Sequence, residues 1–398
     1  MRFGLNDLKD SNEFLNVLLE NITSAVLIVD RDFRIRQFNG ALQIIFGNEG
    51  GKIADELCGA ALGCAFAAEE NTSCGNTSQC GKCLIRNAMT STFRTRKGVG
   101  RKKFSRKFVS GNVPVLKFLE YSTKFIRFGE QEFTLLIIDD ITEREVRKLE
   151  LVDKQRLLDR DLQAAAGIQR SLLPASVSVC DWMETAWEFL PCSRIGGDIF
   201  NLFPLGDGRI GCYIMDASGH GVHSALVAVS VSQLLQPLSS RLPLGSPSGV
   251  CEELDRQYPL NRFNTFFSML YMVLDPANGT LSWCNAGHPP ALLARANGEL
   301  EMLGAGCPII GLGGLLPFCE DRKKIGAGDR IFLYTDGLIE RRNGEGLLLG
   351  VEGLRSLIGL LRGEPLPVLL AALIASAMEF GAGAAPADDI SLLGIEIK

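Results

Sequence analysis

The sequence predicts an α+β protein of two domains joined by a helical linker. Three observations predict it. At 398 residues the chain is too long for one ordinary core. A helix-then-strand texture near the N-terminus gives way, between Asp139 and Gln169, to charged residues with periodic leucines. From Pro174 to Lys398, short apolar strands alternate with Gly-rich turns and a few helices. Hydrophobic residues make up 46% and charged residues 22%, a globular composition, and a formal net charge of −5 excludes a chain-wide nucleic-acid surface.

The elements follow in order. From Asn12 to Asn21, Phe14, Leu15, Leu18 and Leu19 recur at helical spacing. Ala25 to Val29 is a buried-strand pattern, Asp30-Arg31-Asp32 a turn and Phe33 to Phe38 an alternating strand. Two further strands, Leu119 to Phe128 and Glu132 to Ile138, flank a turn at Gly129. The basic stretch from Arg94 to Lys107, with Phe104 and Phe108 interleaved, reads as the solvated face of a hairpin. Next, Val146, Leu149, Leu157, Leu162 and Ile168 form a loose helical stripe among charged residues. The linker helix they predict either pairs as a dimeric coiled coil or lies as a single amphipathic helix on its own domain. Pro174 ends it. The expected boundaries are a tail over 1–11, a first domain over 12–142, a linker over 143–172 and a second domain over 173–398.

The N-terminus has no long apolar h-region, so no secretory signal is expected. The longest apolar stretch, around Leu366 to Phe380, is too short to span a bilayer and reads as an amphipathic or buried helix. A cytoplasmic location is therefore expected, with the 12 cysteines as thiols or metal ligands rather than disulfides.

Four acidic sites in the second domain share one local design. Asp198 precedes the apolar run Ile199 to Phe203, and Asp216 ends the run Ile210 to Met215. Asp336 follows Arg330 to Thr335, and Asp388-Asp389 leads into Ile390 to Ile395. A charge at the end of an apolar strand is costly unless compensated. Several carboxylates converging without basic partners repel one another unless cations bind between them. Oxygen ligands with little His or Cys favour Mg2+ or Mn2+ over zinc. Two such ions can lower the pKa of a water and clamp a phosphoryl oxygen.

These sites fall in an ordered series: Gly196-Gly197-Asp198, Asp216-Ala217-Ser218-Gly219-His220-Gly221, Asn285-Ala286-Gly287-His288-Pro289-Pro290, Tyr334-Thr335-Asp336-Gly337-Leu338-Ile339-Glu340 and Asp388-Asp389-Ile390-Ser391. The series, led by Ile168 to Pro174, resembles the SpoIIE/RsbU branch of the metal-dependent PPM (type 2C) protein phosphatases over residues 165–398. The resemblance implies a β-sandwich flanked by helices, with two or more Mn2+ or Mg2+ ions at one end. It implies that Asp216 bridges the metals, that the backbone carbonyl of Ala217 adds a ligand, and that Asp198, Asp336 and Asp388 complete the set. Asp389 is the lesser member of its pair. The implied reaction is attack of a metal-bound water on a phosphoserine or phosphothreonine, without a covalent phosphoenzyme. His220 is the candidate general acid, and His288 has a structural role with its ring bonded within the Asn-Ala-Gly-His turn. The Arg or Lys that other type 2C enzymes use near their first motif is not evident.

The segment from Asn12 to Phe46, with Ile137 to Glu143, resembles a PAS sensor domain. Its middle carries an insertion over 58–83 with Cys58, Cys64, Cys74, Cys80 and Cys83. Cys64, Cys74, Cys80 and Cys83, the last two a C-x-x-C pair, suit tetrahedral zinc or an iron–sulfur cluster. A redox-reactive thiol switch and unrelated reduced thiols are the other readings. Cys58 stands in an apolar run and reads as core.

The chain as a whole reads as a sensor-regulated phosphatase, forming a homodimer, with no nucleic-acid partner and no membrane span. By resemblance its substrate is a phosphorylated anti-anti-sigma factor of the STAS type. The rival is a non-catalytic PAS-based redox- or metal-sensing scaffold with an inert phosphatase-like module.

Overall fold

The computed structural model describes residues 12–47, 53–110, 113–174, 180–206, 208–219, 221–238, 240–304, 306–314 and 316–398, with side chains from residue 16. The expected tail 1–11 lies outside them. The chain divides into two units between Arg156 and Leu157.

The first unit is built on five antiparallel strands: β1 (Ala25–Val29), β2 (Ile35–Phe38), β3 (Lys102–Ser110), β4 (Val113–Phe128) and β5 (Gln131–Asp140). Their order is β2-β1-β5-β4-β3. β1 is paired on both sides, and its apolar sequence matches its burial, with Ala25, Val26, Leu27 and Val29 all buried. The second strand starts at Ile35 rather than at Phe33, because Phe33 sits at φ 63° in the left-handed region and closes the turn. Helix Leu84–Thr95 buries Ile85, Ala88, Met89 and Thr92, one face at helical spacing. The basic residues Lys102, Lys103 and Lys107 of β3 are exposed while Phe108 is buried, so this part of the stretch is a solvated strand face.

A single 30-residue helix, Thr142–Ser171, runs from the first unit into the second. Val146, Leu149, Leu157 and Ile168 are exposed on it, and its one fully buried residue is Gln169.

The second unit is a sandwich of two five-stranded sheets. The strands are β6 (Met183–Leu190), β7 (Asp198–Pro204), β8 (Ile210–Ala217), β9 (Phe267–Asp275), β10 (Thr280–Ala286), β11 (Ala291–Ala294), β12 (Leu300–Leu303), β13 (Asp321–Lys324), β14 (Arg330–Tyr334) and β15 (Ile390–Ile397). The sheets run β13-β10-β9-β8-β7 and β12-β11-β14-β15-β6. Along β14, Ile331 and Leu333 join the core between the sheets, while Phe332 and Tyr334 join a second core beneath the helices Gly350–Leu361 and Leu366–Phe380. Side chains alternate along a strand, so a sheet covered on both faces needs apolar residues at every position. This explains the unbroken apolar runs in front of Asp216 and Asp336. The apolar stretch Leu366–Phe380 is a helix that buries Leu366, Leu369, Leu370, Leu373, Ile374 and Ala377.

Candidate metal centre

The acids converge because four strand ends meet at one end of the sandwich. Asp198 opens β7 and Asp216 lies next to the end of β8, and antiparallel pairing sets them directly opposite one another. In the second sheet, β14 and β15 are neighbours, with Tyr334 paired to Leu392. Asp336, just after β14, therefore falls beside Asp388-Asp389, just before β15.

Polar contacts tie the two sheets together there. The Oδ2 of Asp198 accepts the hydroxyls of Thr335 and Ser391, each at 2.7 Å. Asp389 uses Oδ2 for the N–H of Gly197 (2.7 Å) and Oδ1 for the N–H of Cys192 (2.8 Å). Glycines allow the approach. A Cβ on Gly196 would overlap the Asp389 carboxylate, and one on Gly337 would overlap the Asp389 carbonyl. At Gly197 a Cβ would stand 2.6 Å from the carbonyl oxygen of Ala217. From the linker helix, Gln169 donates through Nε2 to the carbonyls of Gly196 (2.8 Å) and Asp198 (3.2 Å), and its Oε1 accepts the Gly196 N–H at 3.2 Å.

The electrostatics follow from this crowding. Burial, then the facing Asp216, holds the carboxyl of Asp198 well above the ordinary carboxylate range. Burial and the charges of Asp336, Asp388 and Asp389 push Asp216 up to about 7. Asp336 is also raised, by burial, Asp388 and Glu340. Acids, hydroxyls and backbone groups are the neighbours that shift these three, with no cationic side chain among them. Such a set relieves its repulsion by holding protons or by binding cations. Its donors are hard oxygens, including the Ala217 carbonyl, and they suit Mn2+ or Mg2+. The Cys192 sulfur also lies within 4.8 Å of oxygens of Asp388 and Asp389. Burial and these acids push its thiol up to about 12.

The two acids of the last pair are placed differently. Asp388 is exposed, whereas Asp389 is buried with both oxygens engaged by main-chain N–H groups. Asp389 thus holds the Gly-Gly-Asp loop in place, and Asp388 is the acid left open. His220 lies outside the described residues. His288 differs from expectation in one respect. Its turn is closed by Asn285, which accepts the His288 N–H (2.8 Å) and donates to its carbonyl (2.9 Å), while the ring pairs through Nδ1 with Ser268 (2.7 Å). The ring is free to leave the turn because the Asn285 amide already satisfies the backbone there. An arginine does stand near the first motif: Arg194 pairs with Asp159 of the linker helix at 3.5 Å. Sequence reasoning gave no role to Gln169, Thr335, Ser391 or Cys192. For Thr335 and Ser391 the available signal was a hydroxyl adjoining an acidic motif on each of two paired strands.

In the first unit, Cys64, Cys74, Cys80 and Cys83 line one cavity. Cys58 is buried in the core as expected, and it also lines that cavity.

Comparison with known proteins places both units. Residues 206–398 match the family model described as stage II sporulation protein E (SpoIIE), and residues 13–76 match a PAS domain. The phosphoserine phosphatase RsbP of Bacillus subtilis is 31% identical over 187 residues, covering 46% of this chain and 45% of RsbP. Protein IcfG of Synechocystis sp. is 24% identical over 212 residues, covering 46% of this chain and 33% of IcfG. The chain thus spans less than half the length of these curated relatives. Among solved structures, the SiaA-PP2C domain of Pseudomonas aeruginosa superposes with a TM-score of 0.53 at 22% identity, covering 62% of this chain and 99% of that one. That likeness establishes the PP2C fold. Residues 206–398 thus carry the SpoIIE match within a PP2C-type fold, and a PAS match lies ahead of them.

Proposed function

We propose that this protein is a metal-dependent serine/threonine protein phosphatase regulated by its PAS domain. The observation that carries the reading is the convergence of Asp198, Asp216, Asp336 and Asp388, unpaired with any cation among the described residues, at one end of a sandwich that matches the SpoIIE family. The name of the relative RsbP, a phosphoserine phosphatase, supports the same class.

In this reading Asp216 would be the central ligand for divalent cations, Mn2+ or Mg2+. The Ala217 carbonyl, Asp198, Asp336 and Asp388 complete the ligand set. When bound, such ions supply Lewis acidity toward a water and a phosphoryl oxygen. The protein's own part is positioning. Thr335 and Ser391 orient the Asp198 carboxylate, Asp389 fixes the Gly196-Gly197 backbone, and Gln169 braces the same loop from the linker helix. His220 is the candidate for protonating the leaving seryl oxygen.

The proposed substrate is a phosphorylated protein of the STAS anti-anti-sigma type, and the proposed assembly is a homodimer in the cytoplasm. The exposed Val146, Leu149, Leu157 and Ile168 favour pairing of the linker as a coiled coil. Among the described residues no helix is long and apolar enough to cross a membrane.

The test is Mn2+-dependent release of phosphate from a phosphoserine STAS-domain protein. Asp216→Ala and Asp336→Ala are each expected to lower the rate by at least about 100-fold, since even outer-sphere partners of metal ligands are worth 10 to 100-fold. Absence of hydrolysis by the wild-type chain with metal and several such partners supplied would favour the inert scaffold.

A further inference from the structure

The first unit contains a group of soft ligands that the phosphatase reading leaves without a task. Four short elements bring them together. Cys58 opens the helix Cys58–Ala61, Cys64 precedes the helix Ala65–Glu69, Cys80 opens a 3-10 turn, and Cys83 precedes the helix Leu84–Thr95. Cys74 joins them because Gly59 has no side chain; a Cβ there would overlap the Cys74 sulfur. All five sulfurs line one cavity, whose remaining wall includes the apolar Phe66, Ile85 and Phe108.

Donors are aimed at three of the sulfurs. Cys80 Sγ accepts the N–H of Gly75 at 3.2 Å and lies 3.0 Å from the Thr77 hydroxyl. Arg106 donates to Cys83 Sγ at 3.4 Å, and the Gly59 backbone bonds to Cys74. Two guanidinium groups also line the cavity, Arg86 stacked over Phe33 at 4.2 Å and Arg106 over Phe66 at 5.2 Å. Such an arrangement suits thiolates, whose charge needs compensation, better than it suits neutral thiols. Cys58 stands apart. It is only 2% exposed and belongs to the hydrophobic core.

Sulfur spacing then selects the ligand. Four thiolates on one zinc ion, each at about 2.3 Å, sit about 3.8 Å from one another. Among the described residues no three sulfurs of the cavity lie within 4.8 Å of each other. A polynuclear cluster holds its thiolates further apart, around a core that occupies space. A cavity lined by sulfurs that do not close on one point fits that requirement better than it fits a single zinc ion. We propose that Cys64, Cys74, Cys80 and Cys83 bind an iron–sulfur cluster here, with Arg86 and Arg106 offsetting the charge of the thiolates. The inference stands on the first unit alone and is independent of the phosphatase reading.

The test uses the full chain purified without oxygen, and the same protein after incubation with ferrous iron, sulfide and a thiol reductant. The expected result is iron and acid-labile sulfide in equal amounts, with broad visible absorption that dithionite bleaches. Cys64→Ser, Cys74→Ser, Cys80→Ser and Cys83→Ser should each lower bound iron at least about tenfold, because each removes one of the four ligands. Cys58→Ser should keep it. Arg106→Gln leaves every ligand in place, so it should retain the iron while shifting the reduction potential downward, an effect that misfolding would not produce. Zinc bound without sulfide, or no metal even after reconstitution, would overturn the proposal. So would iron that depends on Cys58 and not on Cys64.

Discussion

Asp216 lies across from the start of a hydrogen-bonded chain of neutral side chains. Ser268, its cross-strand neighbour on β9, pairs with the His288 ring, and Asn285 anchors the His288 backbone. Burial of that ring pushes its pKa down to about 3 from 6.5, with a backbone contact from Tyr334 opposing. The unfolded chain therefore takes up a proton first, so this residue's contribution to stability is present above pH 6.5 and falls as pH drops toward 3. Between pH 7 and pH 5 the wild type should lose about 2 kcal/mol more unfolding free energy than His288→Gln. Urea unfolding at the two pH values measures this, and parallel losses in both proteins would show that the histidine titrates normally. At this scale the acids could be picked out of the sequence because a charge ending an apolar strand is anomalous. Thr335, Ser391 and Gln169 were not, because hydroxyls and amides occur everywhere and a place beside an acidic motif is a weak signal until their partners are seen.

Among the elements, the candidate site depends on how closely the motif loops pack. The backbone at Gly337 touches that of Asp389, and the strands β14 and β15 behind them fix the distance. Gly337→Ala should therefore cost about 2 kcal/mol, an ordinary overpacking penalty. It should also lower activity toward a phosphoserine protein although no carboxylate is altered. Thermal unfolding together with a rate assay checks both, and unchanged values for either would mean that the loop yields easily. The apolar runs of β8 and β14 and the Leu366–Phe380 helix were legible as elements because burial on both faces leaves no polar position. The start of β2 was not, because the left-handed turn at Phe33 carries neither Gly nor Asn to announce it. The cysteine cluster was legible from its crowding along the chain, but only the fold brings Arg86 and Arg106 to the same cavity.

For the whole molecule, the linker helix matters because its last buried residue, Gln169, bonds to the Gly-Gly-Asp loop. A fragment of residues 157–398 keeps this brace and one of 173–398 lacks it. The longer fragment should bind Mn2+ more tightly, by about 10 to 100-fold, the usual worth of a residue that orients a ligand. Calorimetric titration of both fragments, and of full-length Gln169→Ala, tests this; equal affinities would detach the helix from the site. The glycines at the strand ends have a separate consequence, for heredity. Every missense change in the codon for Gly196, Gly197 or Gly337 adds a Cβ where a carboxylate or carbonyl oxygen already stands. Loss-of-function alleles of this gene should therefore gather at those three codons about as densely as at the aspartates, although the glycines contribute no reactive atom.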